Sequence, residues 1–69
     1  MTKVKVKSSA INTVEYDEDR NSLTVTFKND KSYVYLKVPH DVFNDLLLSD
    51  SVGKFYNASI KPIYEEIRS

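Results

Sequence analysis

Apolar and polar positions alternate along most of the first half of the chain and shift to a helical spacing in the second half. Lys3-Val4-Lys5-Val6-Lys7 alternates strictly, with valines on one face and lysines on the other. This predicts a short edge strand whose lysines resist edge-to-edge pairing. After Ser8-Ser9, the stretch from Ile11 to Tyr16 reads as extended, with Asn12, Val14 and Tyr16 on one side and Ile11, Thr13 and Glu15 on the other. Asp17-Glu18-Asp19-Arg20-Asn21 is a polar loop. Leu23-Thr24-Val25-Thr26-Phe27 is a second strand, rich in β-branched and aromatic residues with period two. Ser32-Tyr33-Val34-Tyr35-Leu36-Lys37 is a third.

Asn29-Asp30 between these last two strands suits a two-residue hairpin turn, because both residues tolerate positive φ. Such a turn sets Lys28 opposite Lys31, Val25 opposite Val34 and Thr24 opposite Tyr35. Val34 and Leu36 then face the core, and Tyr33, Tyr35 and Lys37 face outward. Setting Tyr16 opposite Leu23 brings Val14 opposite Val25 on the core face. Beyond Val38-Pro39, Val42, Phe43, Leu46 and Leu47 recur at helical spacing, with Pro39 and Asp41 suited to a helix start. Ser49-Asp50-Ser51 stops this helix and caps a second one carrying Val52, Phe55 and Tyr56. Gly53 inside it implies close approach of the sheet, the first helix or a ligand. Pro62 ends the helix, and Ile63, Tyr64 and Ile67 suit a last short helical turn. The expected fold is α+β: a three-stranded antiparallel β-meander, which residues 3–7 can join as a fourth short strand, with two helices packed on one face.

Sixty-nine residues form one domain, spanning 1–69. A core of this size contributes only about 3–5 kcal/mol of net stability, and without cysteine no disulfide or thiolate metal site adds to it. Ten basic and ten acidic residues balance, which argues against a dedicated polybasic DNA binder. The basic excess lies in residues 1–37 and the acidic excess in residues 38–69. No apolar run is long enough to span a membrane, and no apolar segment follows the charged start, so a cytoplasmic location is expected.

Catalytic chemistry finds little support in the residues. His40 is the only histidine, at a helix start, and no nucleophile–base–orienter set accompanies it. The acidic loop at Asp17 begins like a calcium loop, but Ser22 stands at the glycine position and Lys28 at the bidentate glutamate position. A single glycine excludes glycine-rich phosphate loops. Neither an enzyme nor a cofactor is expected. What remains is the outward tyrosine pair, Tyr33 and Tyr35, backed by Thr24 and Thr26 and approached by Lys28, Lys31 and Lys37. Aromatics ringed by cations can stack unpaired bases while the lysines meet phosphates. The same face also suits simple strand packing or self-association.

Five groups of residues, in order, resemble the KTSC domain, a module found at the C-terminus of some lysyl-tRNA synthetases and as stand-alone bacterial and phage proteins. They are Ser8-Ser9-x-Ile11; Val14-Glu15-Tyr16-Asp17; Leu23-x-Val25-x-Phe27; Tyr33-x-Tyr35-x-x-Val38-Pro39; and Ser51-x-Gly53-x-Phe55-Tyr56-Asn57-x-x-Ile60. The resemblance covers about residues 6–64 and departs at Asn29-Asp30, where family members often carry glycine. It implies RNA binding rather than an activity, with the family's Tyr-x-Tyr at Tyr33 and Tyr35. The first expectation is a non-catalytic module for single-stranded RNA or a nucleotide-like ligand. Ser51, Gly53, Lys54 and Asn57 would then form a second, anion-binding patch. Two alternatives stand beside it. One is a small phage or prophage protein that sequesters a nucleotide second messenger or inhibits a host defence protein. The other is a protein-interaction or homo-oligomerisation module.

Overall fold

The computed structural model describes residues 2–68. The sheet is antiparallel with five strands in chain order: β1 (Thr2–Lys5), β2 (Ile11–Asp17), β3 (Ser22–Phe27), β4 (Ser32–Tyr35) and β5 (Glu66–Arg68). Helix α1 (His40–Leu48) and the short α2 (Val52–Phe55), which runs directly into a π-helical turn (Tyr56–Ile60), lie between β4 and β5 in the chain. The fold is therefore α+β as expected, but with five strands rather than three or four. The chain around Ile63–Ile67 does not end in a helical turn. Tyr64 N–H closes the helix onto the Ile60 carbonyl, and the chain then extends so that Glu65 C=O accepts from Leu36 N–H at 3.0 Å and Ile67 pairs with Val34. Without this strand, the backbone groups on the outer side of β4 would have no ladder partner.

The β2–β3 register agrees with the sequence reading, Tyr16 pairing with Leu23 and Val14 with Val25. One correction concerns Ile11. Asn12 is an extra residue between the Ile11–Phe27 and Thr13–Thr26 pairs. This bulge turns Ile11 from the outer face into the core, where it is buried.

The β3–β4 hairpin brings the larger correction. Its loop has three residues, Lys28 to Asp30, not two. Phe27 N–H bonds the Lys31 carbonyl at 2.8 Å, and Asp30 N–H bonds the Phe27 carbonyl at 3.0 Å. Only Asp30 takes a positive φ, 69°, and Asn29 Oδ1 accepts from Lys31 N–H at 3.1 Å. A two-residue turn of the I′ kind needs positive φ at both positions and sets two lysines face to face. The observed loop needs one such residue and avoids that pairing. Tyr35 now pairs with Leu23, and Tyr33 with Val25. A shift of one residue exchanges the faces of a strand. Tyr33 and Tyr35 therefore lie on the core side, and Val34 joins Thr24 and Thr26 on the open side.

Both helices cover that core side. Phe43 and Leu46 from α1, Val52 from α2, and Tyr56 and Ile60 from the π turn pack against Ile11, Val14, Tyr16, Leu23, Val25 and Tyr35. Tyr16 is fully buried. Its hydroxyl donates to the Val38 carbonyl at 2.6 Å, and its ring stacks on Phe43 at 5.1 Å. Ser49 Oγ donates to the Leu46 carbonyl at 2.8 Å, and Ser51 Oγ accepts from Lys54 N–H at 3.3 Å. The serines thus end one helix and start the next.

Two stability predictions follow from the backbone. In the three-residue loop, Asp30→Gly relieves a left-handed residue and is expected to stabilise by about 0.5 kcal/mol. Asn29→Gly loses the side-chain bond to Lys31 and is expected to destabilise by a similar amount, about 0.5 kcal/mol; a two-residue turn would instead make both substitutions stabilising. At Gly53, an added Cβ would meet only Ser8 Oγ, at an ordinary 3.6 Å. Gly53→Ala is expected to stabilise by about 0.5–1 kcal/mol. Urea denaturation of the three variants checks both predictions.

Candidate functional site

The exchanged register gives the two tyrosines different roles. Tyr35 is 0% exposed and cannot stack a ligand. Its O–H donates to Glu66 Oε1 at 3.2 Å, and its oxygen is in close contact with the Tyr56 hydroxyl. Either hydroxyl can supply the proton of that second bond. Burial raises the pKa of Tyr35, and the adjacent Tyr56 and Glu66 raise it further. Burial also raises that of Tyr56, reinforced by the Glu66 charge and partly offset by the bond to Tyr35. Tyr16 is raised by burial and then by Glu18 and Asp17.

Tyr33 is half-buried at the margin of the core. It meets Phe27 edge-on at 5.7 Å, Phe27 meets Tyr56 edge-on at 5.5 Å, and Tyr56 meets Tyr35 at 5.8 Å. Tyr33, Phe27 and Tyr56 in this run wall a cleft of about 410 Å³ between the β3–β4 hairpin and the π turn. Phe27, Tyr33 and Tyr56 supply its apolar lining, Asn29 and Asn57 its amides, Lys31 and Lys61 its cations, and Glu66 its carboxylate.

A second cleft, of about 460 Å³, lies between the Lys7–Ala10 segment and α2. Ser51, Gly53, Lys54 and Asn57 all line it, together with Lys7, Ser8 and Ser9. Ser8 Oγ is already engaged, accepting from Ala10 and Ile11 N–H, and Ser51 Oγ is the α2 cap. Asn57 lines both clefts.

Of the residues expected to bind on an open tyrosine face, Tyr33 and Lys31 fall in the first cleft, and Tyr35 is withdrawn into the core. Lys28 is exposed on the hairpin loop outside both clefts. Lys37 is an exposed left-handed residue, φ 56°, in the segment leading to α1. Thr24 and Thr26 lie on the opposite face of the sheet from the tyrosines. Phe27, Tyr56, Lys61 and Glu66 were missed as site residues. The signal for Phe27 was the hairpin register, since a three-residue loop puts Phe27 and Tyr33 on one face. Glu66 depended on recognising β5.

His40 is exposed at the start of α1. It sits edge-on to Tyr16 at 5.3 Å, with Nδ1 3.3 Å from the Asn44 amide. In the acidic loop, Asp17 Oδ1 accepts from Asp19 N–H at 3.0 Å, ordinary turn chemistry. Among the described residues, no group of three His, Cys, Asp or Glu is placed to hold a metal ion. Nor is any helix among them long and apolar enough to cross a membrane.

A five-stranded antiparallel sheet, two helices on one face and a cleft at the hairpin end define a small α+β domain. The KTSC domain family model matches residues 7–64. The chain belongs to the KTSC domain family. It is similar to a protein of Tsukamurella paurometabola, 39% identical over 62 residues that cover 90% of this chain and 92% of that one. An uncharacterised protein of Stutzerimonas stutzeri is 36% identical over 62 residues, covering 90% and 87%. The crystal structure of a KTSC domain protein from Yersinia pestis superposes with a TM-score of 0.93 at 28% identity, over 99% of this chain and 96% of that one.

The tyrosine network predicts an alkaline limit to stability. Between the ordinary tyrosine value of about 10 and the raised native values, the unfolded chain releases protons that the native state retains. The tyrosine contribution is therefore complete below about pH 10 and is lost as pH rises above it. Tyr35→Phe is expected to cost about 1 kcal/mol at neutral pH and to make the alkaline loss shallower. Denaturant melts of both proteins from neutral to alkaline pH measure this.

Proposed function

We propose that the protein is a non-catalytic binding module for a nucleotide-like ligand or single-stranded RNA, with its site in the two adjoining clefts rather than on the open sheet face. The observation that carries this reading is the first cleft. Three aromatic rings wall it, and Lys31 and Lys61 flank it. An aromatic surface accepts a base, and flanking ammonium groups meet its phosphate. Asn57 also lines the second cleft, where Lys7 and Lys54 would take the next phosphate of a strand. Gly53 supports the same reading. Its backbone lies in the second cleft, and the packing around it leaves room for a side chain that is absent. π-helical turns are often found at functional sites, and this one supplies Tyr56 and Asn57.

The volume of the first cleft, about 410 Å³, is in the range of small-ligand sites. This favours a single nucleotide unit there and keeps a free nucleotide messenger within the reading. The assay is fluorescence anisotropy with a labelled oligouridine, beside calorimetry with a cyclic dinucleotide. Salt-sensitive binding is expected, weakened by about 1–3 kcal/mol in Tyr33→Ala and also weakened in Lys31→Ala/Lys61→Ala. Lys28→Ala, altered on the exposed hairpin loop outside both clefts, is expected to bind like the parent. Tight binding of the cyclic dinucleotide alone would assign the site to a small nucleotide. Unchanged affinity in both cleft variants would overturn the reading.

A further inference from the structure

The free edge of β1 has a construction that the clefts do not explain. Val6 N–H bonds the Asn12 carbonyl at 3.1 Å, and Val4 pairs with Val14. Backbone groups of an antiparallel strand point alternately to its two sides. Val4 and Val6 therefore bond β2, and Lys3 and Lys5 turn their N–H and C=O groups to the open edge. β1 is the terminal strand of the sheet, and among the described residues no strand lies beyond it.

The side chains alternate in step. Lys3, Lys5 and Lys7 are exposed, and Val4 and Val6 are half-buried. Beneath the edge, Val4 and Val6 join Leu47 and Val52 as the apolar lining of a groove of about 330 Å³, which Lys5, Lys7, Ser49 and a single carboxylate, Asp50, also line. Leu48, the last residue of α1, is 82% exposed next in sequence to Leu47. Lys3 has Glu15 across the ladder, but Lys5 has Thr13 and no carboxylate there.

We infer that the β1 edge is a docking site for an extended acidic segment of a partner protein, which adds as a sixth strand. Its backbone bonds Lys3 and Lys5, its acidic side chains meet the lysines at every second residue, and the apolar residues between them enter the Val4–Leu47 groove. Charge complementarity selects this occupant. A second copy paired through β1 would set lysine against lysine, which is unfavourable across strands. Nucleic acid would meet the lysines but would not reproduce the strand ladder that the edge offers.

The test uses the isotopically labelled protein and two short peptides, one alternating glutamate with valine and one alternating lysine with valine. Only the acidic peptide is expected to bind, with slowed amide exchange at Lys3 and Lys5. Lys5→Pro removes a donor that β2 does not use, and proline is tolerated on edge strands. It is expected to weaken the acidic peptide by about tenfold or more, while preserved protection at Val4 and Val6 reports an intact fold. Lys5→Glu is expected to weaken the acidic peptide and strengthen the basic one. Equal affinity for the two peptides overturns the inference. So does protection of Lys3 and Lys5 brought about by protein concentration alone, or by an oligouridine.

Discussion

The three-residue loop between β3 and β4 is the constraint on which the rest of this molecule depends. It accommodates a single left-handed residue, Asp30. In doing so it sets which face of β4 meets the helices. With the register it imposes, Tyr35 enters the core against Tyr56, and Tyr33 stops at the margin beside Phe27. A shift of one residue would send both tyrosines to the open side and bring Val34 inward. That arrangement buries less apolar area and leaves the helices without the aromatic surface they cover. The loop and the core therefore support the same register: local backbone geometry proposes it, and burial of a hydrogen-bonded tyrosine reinforces it.

Much of this was legible in the sequence. The alternation in β2 and β3 gave the Val14–Val25 and Tyr16–Leu23 pairs because both strands carry apolar residues on one side only. The helix limits followed from Pro39, Asp41 and the serines at 49 and 51, whose capping roles are local. β4 was ambiguous for a physical reason. Tyr33 and Tyr35 can be buried as readily as Val34 and Leu36 when their hydroxyls find partners. Periodicity identified the strand but not its inward side. The partners for Tyr35 lie 21 and 31 residues away, at Tyr56 and Glu66, beyond the reach of a local pattern.

The other departures share this origin. Ile11 lies on the wrong parity for the core until Asn12 is recognised as a bulge, and nothing in Asn12 itself signals one. The segment from Ile63 to Ile67 has apolar spacing that fits a short helix as well as a strand. Only the unpaired side of β4 decides between them. The candidate site inherited these errors. Tyr33 and Lys31 were identified on the wrong face yet belong to a cleft, whereas Phe27, Tyr56 and Glu66 required the correct register and the fifth strand.

The π turn connects the core to the clefts. Lys61 N–H reaches the Tyr56 carbonyl at 2.9 Å, so the turn holds one more residue than an α-helical one. Its residues reach both regions: Tyr56 and Ile60 are buried in the core, and Asn57 lines both clefts. The same Tyr56 ring that walls the first cleft has its hydroxyl hydrogen-bonded to that of Tyr35 inside the protein. The aromatic wall is thus fixed by the packing and hydrogen bonding that stabilise the fold, and a base bound as proposed would restrict little freedom in those rings, the ordering cost falling on Lys31 and Lys61. A Tyr-x-Tyr pair on one strand then has two roles, with the first tyrosine presenting a surface and the second holding that surface in place from behind.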